Sequence, residues 1–188
     1  MHEIVRGWIV DVLRGNEQVV AIALRQRAKF EGWLKFELAA HAEWHGATAV
    51  HVESAGSEEA SPAQGRCDLS FCFDQGHYDI ELKTPNSNWR VPGVLDCTRP
   101  ITKNIEAISA DARKLSAYAE RGLVAFVLFP IPTGDRRWCE YLKRIARDLG
   151  MDLPPAAYTT QLTFALSTSH SADLAVGCFP VRRLPPAS

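Results

Sequence analysis

The sequence predicts an α/β fold, in which amphipathic helices alternate with strands along the chain, and three observations carry this prediction. Residues 65–73 and 78–84 alternate apolar and polar side chains, as half-buried strands do, and the turn-forming residues 74–77 between them predict a β-hairpin. Residues 123–129 are apolar without alternation, which is typical of a central strand covered on both faces. Apolar residues at helical spacing lie on both sides of these strands in the sequence.

Composition bounds the class of protein before any motif is considered. The chain has 188 residues, of which 46% are hydrophobic and 23% charged. These are ordinary globular values, and we expect one domain over residues 1–188. No apolar run approaches the roughly 20 residues that span a bilayer, and the N-terminus lacks the features of a signal peptide. The five cysteines form no C-x-x-C pair, which favours reduced thiols and a cytoplasmic location.

The N-terminal third is predicted to be helical. A first amphipathic helix covers residues 4–13 and is broken at Gly15-Asn16, where Asn16 is expected to cap a second helical region that runs to about His45, with a bend or break near Gly32. One predicted stripe of that region consists of Phe30, Trp33, Leu34, Glu37, His41 and Trp44. An acid on a core-facing stripe is costly unless it is paired, so Glu37 is either a boundary residue that reaches solvent or a functional one.

Two histidines near the end of this region have the spacing of a possible metal-binding motif. His41 and His45 are four residues apart in the order His-Ala-Glu-Trp-His. Zinc proteases require H-E-x-x-H, so the motif does not match, and we expect surface or packing histidines.

The remaining elements follow in order. Residues 47–53 are predicted to form the first strand, residues 54–64 a polar loop, and residues 84–102 an irregular segment. A helix covers residues 101–119, and the central strand 123–129 ends at Pro130. Asp135 is expected to cap a helix that ends at Gly150, and residues 162–166 and 174–179 form a last pair of strands before a frayed tail at 184–188.

The hairpin brings acidic and basic side chains together. Side chains two residues apart share a face of a strand, so Cys67, Leu69, Phe71 and Phe73 are expected on one side and Asp68 and Ser70 on the other. In the second strand, Asp79, Glu81 and Lys83 share the face opposite Tyr78, Ile80 and Leu82. Asp79 is interpreted as structural. Two carboxylates and an ammonium on adjacent strands can hold a hard divalent cation through oxygen ligands with a lysine beside it.

This hairpin resembles the core of the PD-(D/E)xK nuclease superfamily. The matching residues are Asp68 and Glu81-Leu82-Lys83, with Cys67 where the eponymous proline would stand, and the resemblance covers about residues 30–130. It implies a restriction-endonuclease-like α-β-β-β-α-β core, with a mixed central sheet flanked by helices, an extra N-terminal helix, and a C-terminal extension of a helix and strands at 135–182.

The resemblance also implies a chemistry. Asp68, Glu81 and the backbone carbonyl of Leu82 would bind Mg²⁺ or Mn²⁺, and Lys83 would orient the attacking water or neutralise charge in the transition state. Glu37 would hold a second ion or its water. Glu31 is about 240° from Glu37 around a regular helix, so we expect Glu37, and not Glu31, to approach the site. The implied activity is hydrolysis of phosphodiester bonds, with DNA as the expected substrate.

Nucleic-acid binding would depend on local patches, because the formal net charge is only −1. Trp89 beside Arg90 offers a stacking surface and a cation, although the tryptophan could equally pin its loop to the core. Lys103, Arg136 and Arg137 are further candidate phosphate contacts, or simply solvated charges. A catalytically inactive nucleic-acid-binding or assembly module of the same fold is the alternative. The near-zero charge also suits a homodimer or a partner subunit that supplies DNA recognition.

Overall fold

The structure is a computed structural model, and it describes residues 1–53, 66–96 and 101–181. The predicted loop at 54–64, Gly65 at the start of the predicted hairpin and the tail at 184–188 lie outside the described residues. The helices are α1 His2–Gly15, α2 Glu17–Gln26, α3 Glu31–Trp44, α4 Thr102–Tyr118, α5 Cys139–Leu149 and α6 Pro155–Tyr158. The strands are β1 Thr48–Val52, β2 Leu69–Phe73, β3 Gly76–Lys83, β4 Gly122–Ile131, β5 Thr159–Ala165 and β6 Ser171–Val181.

All these strands belong to one six-stranded mixed sheet, in the order β1-β2-β3-β4-β6-β5. β1, β2 and β3 form an antiparallel meander, and β3 pairs with β4 in parallel. β6 pairs antiparallel with both β4 and β5. The predicted α/β class with a mixed sheet is therefore confirmed. The last two strands belong to the same sheet as the hairpin, since β6 lies directly beside β4.

Helices cover the sheet on both faces, which explains why every residue of β4 is buried. On one face, α1, α2 and α3 pack with alternate residues of β2, β3 and β4 in one hydrophobic cluster. On the other, α4 and α5 pack with the intervening residues of β4 and with β6. Among the described residues, no helix is both long and apolar enough to cross a membrane.

The β2–β3 turn is tighter than the sequence predicts. Phe73 pairs with Gly76, so only Asp74 and Gln75 separate the strands. Both have positive φ, at 46° and 59°. Two consecutive left-handed residues are typical of the type I′ turn, whose twist matches that of the flanking strands. The short turn fixes the register that positions the far end of the hairpin.

The break before α3 falls at Arg27, a few residues earlier than expected, where φ is 51°. The buried Arg27 guanidinium donates hydrogen bonds to the carbonyls of Ser87, Trp89 and Leu95. The segment that follows β3 is therefore fastened to the N-terminal helices by an arginine. Asn16 does occupy the N-cap position of α2 as predicted, but its side chain donates to Val12 O at the end of α1 and makes no capping hydrogen bond to α2.

Two predicted element ends also differ in the C-terminal half. β4 continues past Pro130 to Ile131, with an irregular register toward β6 where the proline lacks an N–H. Asp135 accepts a hydrogen bond from the Arg137 N–H at 2.8 Å and so stabilises the turn before α5, which begins only at Cys139. Gly150 does end α5, with φ of 62°.

Candidate active site

Asp68 lies one residue before β2, and its carboxylate extends the ladder between β2 and β3. Asp68 Oδ2 accepts a hydrogen bond from the Leu82 N–H at 2.9 Å, and the Asp68 N–H donates to Ile80 O at 3.0 Å. In an extended strand the N–H and C=O of one residue point to the same edge, so the Leu82 carbonyl also faces Asp68. A carboxylate and a backbone carbonyl thus converge just before the start of β2.

The predicted face of Cys67 is wrong. Cys67 packs in the cluster formed by α4 and α5, whereas Leu69 and Phe71 pack on the opposite face. Alternation fails here because the chain is not yet a strand at residues 66–68. The Cys67 thiol donates to Asp79 Oδ1 at 3.5 Å, which gives the buried Asp79 a structural contact.

Lys83 is surrounded by carboxylates from three elements. Its Nζ lies 3.8 Å from Asp68 Oδ2 and 3.7 Å from Glu31 Oε1 on α3. It also lies 3.1 Å from Asp111 Oδ2 on α4, off the direction of a well-aligned hydrogen bond. Burial alone would lower the pKa of Lys83, but the charges of Glu31 and Asp111 outweigh it and raise the pKa. Lys83 is therefore an ammonium at neutral pH.

Glu81 is the most perturbed acid of the cluster, with only 3% of its surface exposed. Its Oε1 lies 2.5 Å from Lys114 Nζ, and the same ammonium donates to the Arg66 carbonyl. Burial, together with the charges of Asp68 and Asp111, raises the pKa of Glu81 to about 7 against the opposing effect of Lys114. Near neutral pH this carboxyl is balanced between its two protonation states.

Asp68 is held in its ionised form. Burial would raise the pKa of Asp68, but the Leu82 N–H and the Lys83 charge lower it below its ordinary value. Lys35 Nζ, 3.2 Å from Asp68 Oδ1 and 2.9 Å from Glu53 Oε1, acts in the same direction. The neighbouring Glu81 carboxyl also acts to lower the pKa of Asp68.

Among the residues that the structure describes, the acids of the cluster outnumber the bases by two. The carboxylates are Glu31, Glu53, Asp68, Glu81 and Asp111, and the ammonium groups are Lys35, Lys83 and Lys114. The described part of the chain contains no group of three or more His, Cys, Asp or Glu side chains arranged to hold a metal as it stands. The oxygens face lysines instead, yet the surplus of negative charge and the all-oxygen donor set fit a hard divalent cation.

The prediction that Glu37, and not Glu31, approaches the cluster is wrong. Glu31 Oε2 accepts a hydrogen bond from the Thr84 N–H at 3.3 Å, in addition to the ion pair of Glu31 with Lys83. Among the described residues, no hydrogen bond or ion pair joins Glu37 to any member of the cluster. The buried stripe of α3 is Leu34, Lys35, Leu38, Ala39 and Ala42, while Trp44 is 83% exposed.

Asp111 and Lys114 were not predicted, and a signal for both was present in the sequence. Asp111 lies one turn from the core residues Ile108 and Leu115 of α4, and Lys114 lies one turn further along the same side of the helix as Asp111. Charged side chains beside a buried helical stripe are close enough to the sheet to contact charged residues on its strands. Lys35 belongs to the same class, because it is buried on α3 by its two acidic partners.

The candidate nucleic-acid residues fall into separate groups. Trp89 packs against Tyr141 of α5 with ring centroids 5.4 Å apart, and the Arg137 guanidinium lies over the Trp89 ring at 5.6 Å. Arg90 is exposed and pairs with Asp96 at 3.4 Å. Two other exposed cations stand apart: Arg136 lies over Trp138, and Lys103 is in the first turn of α4.

Comparison with known proteins gives no relative. No family model matches the chain, and no curated protein and no solved structure is significantly similar to it.

Proposed function

We propose that this protein is a divalent-metal-dependent nuclease that hydrolyses phosphodiester bonds, with DNA as the first substrate to test. One observation carries the proposal: the surplus of carboxylate charge around the buried Glu81, next to the ammonium of Lys83. The Glu81 and Asp68 side chains at the centre of the cluster are mostly buried. Surplus negative charge there is costly for folding alone, so a cation-dependent role explains its presence better than a structural one.

The order of elements supports the same proposal. α3, β1, β2, β3, α4 and β4 follow one another in the chain, with β1–β3 antiparallel and β3 parallel to β4. This order of elements supports the α-β-β-β-α-β core that the PD-(D/E)xK resemblance implies.

Asp68, Glu81 and the Leu82 carbonyl are the groups that would hold Mg²⁺ or Mn²⁺ in this proposal. When bound, such an ion lowers the pKa of its water and acts as a Lewis acid toward the phosphate. Lys83, already protonated, is suited to stabilise the negative charge that develops on the phosphate oxygens. Glu31 holds Lys83 from the α3 side and replaces Glu37 as the helix carboxylate.

Glu81 and Asp68 have different tasks because their pKa values are moved in opposite directions. Asp68 stays ionised and is a permanent ligand or hydrogen-bond acceptor. Glu81, with a pKa of about 7, releases its proton as positive charge arrives and leaves Lys114 free to move toward solvent. Binding of a divalent ion should therefore release a proton, and the affinity should rise between pH 6 and pH 8.

The substrate would approach past the arginines and aromatic rings near α5. Arg136, Arg137 and Arg90 are exposed cations that can contact phosphates, and Lys103 adds another at the start of α4. Trp89 is half-buried against Tyr141, so it orders this surface and exposes only part of its ring to a base. Replacing Arg136 by Gln should weaken binding equally for all sequences and reduce its salt dependence by about one ion.

The test is a cleavage assay on supercoiled plasmid, linear duplex and single-stranded oligonucleotides with Mg²⁺ or Mn²⁺. We expect cleavage that stops in EDTA and is reduced at least 100-fold in Asp68→Asn and Lys83→Met. Glu120→Gln, an exposed acid beyond the end of α4, serves as the control and should retain full activity. Equal cleavage by all four proteins would indicate a contaminant and refute the assignment.

The alternative is an inactive nucleic-acid-binding or assembly module, and one observation favours it. Three lysines already contact the carboxylates, as in a structural ion-pair network. Calorimetry with Mn²⁺ decides between the two functions. Binding that is lost in Asp68→Asn supports the nuclease, while absence of binding together with nucleic-acid affinity in EDTA supports the module.

A further inference from the structure

Two imidazole rings face each other at the C-terminal end of α3. His41 Nε2 and His45 Nε2 are 3.1 Å apart, on residues one helical turn from each other. Neither residue belongs to the candidate active site. His45 is exposed and His41 half-exposed, so the pair lies at the protein surface.

The separation of the two nitrogens matches the span of a chelated transition metal. Zn²⁺ binds histidine nitrogen at about 2.0–2.1 Å. Two nitrogens 3.1 Å apart at such a distance subtend about 100° at the ion, between the angles of octahedral and tetrahedral coordination. A shared N–H···N hydrogen bond occupies the same geometry in the absence of metal, and an ion could take its place once the donor ring carries its proton on Nδ1.

Neighbouring rings hold the pair in place before any ion arrives. The Trp8 ring of α1 stacks on His45 with centroids 5.7 Å apart and planes 22° apart, and it meets His41 edge-on at 6.4 Å. Trp44 packs against the edge of His41 at 6.0 Å. Because these contacts already restrict the rotamers of the two histidines, metal binding would cost less side-chain entropy than it would at a flexible pair.

The electrostatic setting also favours a cation. The pair lies at the C-terminal end of α3, where the helix dipole carries partial negative charge.

We propose that His41 and His45 form a chelating site for a borderline transition ion, Zn²⁺, Ni²⁺ or Cu²⁺, with water in the remaining positions. No third His, Cys, Asp or Glu completes the set among the described residues. Imidazole nitrogen selects these ions over Mg²⁺ and Mn²⁺, which prefer oxygen ligands. The site is thus chemically distinct from the Asp68–Glu81 cluster, and it does not rest on nuclease activity.

The experiment titrates the full chain, without an affinity tag, with ZnCl₂ by calorimetry at pH 7.5. With excess Mg²⁺ present to occupy any oxygen-ligand site, we expect one equivalent of Zn²⁺ to bind, with affinity reduced at least tenfold in His41→Gln and in His45→Gln. His51→Gln, at an exposed histidine on β1, should bind as the wild type does. Wild-type affinity in both the His41 and His45 variants would overturn the proposal, as would absence of binding by the wild type.

A second measurement keeps the test valid if a variant folds poorly. The chain has six histidines, whose ring resonances can be followed by NMR in the wild-type protein. Zn²⁺ should shift the resonances of His41 and His45 and leave the other four in place. Ni²⁺ should quench the emission of the neighbouring Trp8. Shifts confined to other histidines would refute the assignment.

Discussion

Glu81→Gln should stabilise the metal-free protein at alkaline pH, although it removes a proposed ligand. The ordinary pKa of the carboxyl is 4.5, and in the folded protein it is raised to about 7. Below pH 4.5 the group is protonated in both states and has no effect on the free energy of unfolding. As the pH rises from 4.5 to 7, the Glu81 carboxyl ionises in the unfolded chain before it ionises in the folded protein. The free energy of unfolding therefore falls through this window and stays lower above it.

The expected size of this loss follows from the difference between the two pKa values. At about 1.4 kcal/mol for each pH unit, the loss is on the order of 3 kcal/mol at pH 8. Glutamine has nearly the same shape and keeps a carbonyl oxygen for Lys114, so it removes the ionisation with little change in packing. The variant should therefore match the wild type at pH 4.5 and exceed its free energy of unfolding by up to about 3 kcal/mol at pH 8.

The assay is urea denaturation followed by circular dichroism in EDTA, at intervals from pH 4.5 to pH 8. The informative quantity is the difference between variant and wild type, because groups that both proteins share, such as His41, cancel in it. Glu140→Gln is the control, since Glu140 is exposed in an i,i+3 pair with Lys143 and should change stability by less than about 0.5 kcal/mol. A Glu81→Gln difference that does not vary with pH would refute the reasoning.

Three further predictions concern the residues around the site. Glu31→Gln should lower metal-dependent cleavage at least tenfold and Glu37→Gln less than twofold, as measured by initial rates, and the reverse ranking would restore the sequence-based assignment. Lys35→Met should lower the free energy of unfolding by about 1–3 kcal/mol, because two carboxylates lose their shared ammonium, whereas Glu53→Gln should cost less than about 1 kcal/mol in the same urea titration. Arg27→Met should cost about 2–4 kcal/mol and increase hydrogen exchange in residues 84–96, because three carbonyls lose their donor; unchanged exchange would show that other contacts hold this segment.

The strands were predictable because their patterns are local. The run at 123–129 and the alternation of the hairpin reflect burial on two faces and on one face, and both match β4 and β2–β3. Asp68 and Lys83 were correctly brought together for the same reason, since hairpin register follows from a short turn.

The face of α3 was not predictable from hydrophobicity. Large aromatic residues normally mark a buried stripe, but Phe36 is 65% exposed and Trp44 is 83% exposed. Lys35 occupies a buried position instead, and its ion pairs with Glu53 and Asp68 offset the cost of burying its ammonium group. Those partners lie on other elements, so the sequence of the helix alone contains no sign of them. For the same reason, the sequence indicated Glu37 as the helix carboxylate of the site, whereas the structure places Glu31 there.

The place of β6 in the sheet affects how the protein is made on the ribosome. β4 ends at Ile131, but its second neighbour in the sheet begins only at Ser171. At a synthesis rate of about 5–20 residues per second, one edge of this wholly apolar strand lacks its partner for roughly 2–8 seconds. Unpaired apolar strand edges recruit other chains, so the nascent protein is most exposed to aggregation after the strands of the candidate site have emerged. A mutation that delays the pairing of β6 with β4 would thus reduce the yield of folded protein without changing any residue of the candidate site.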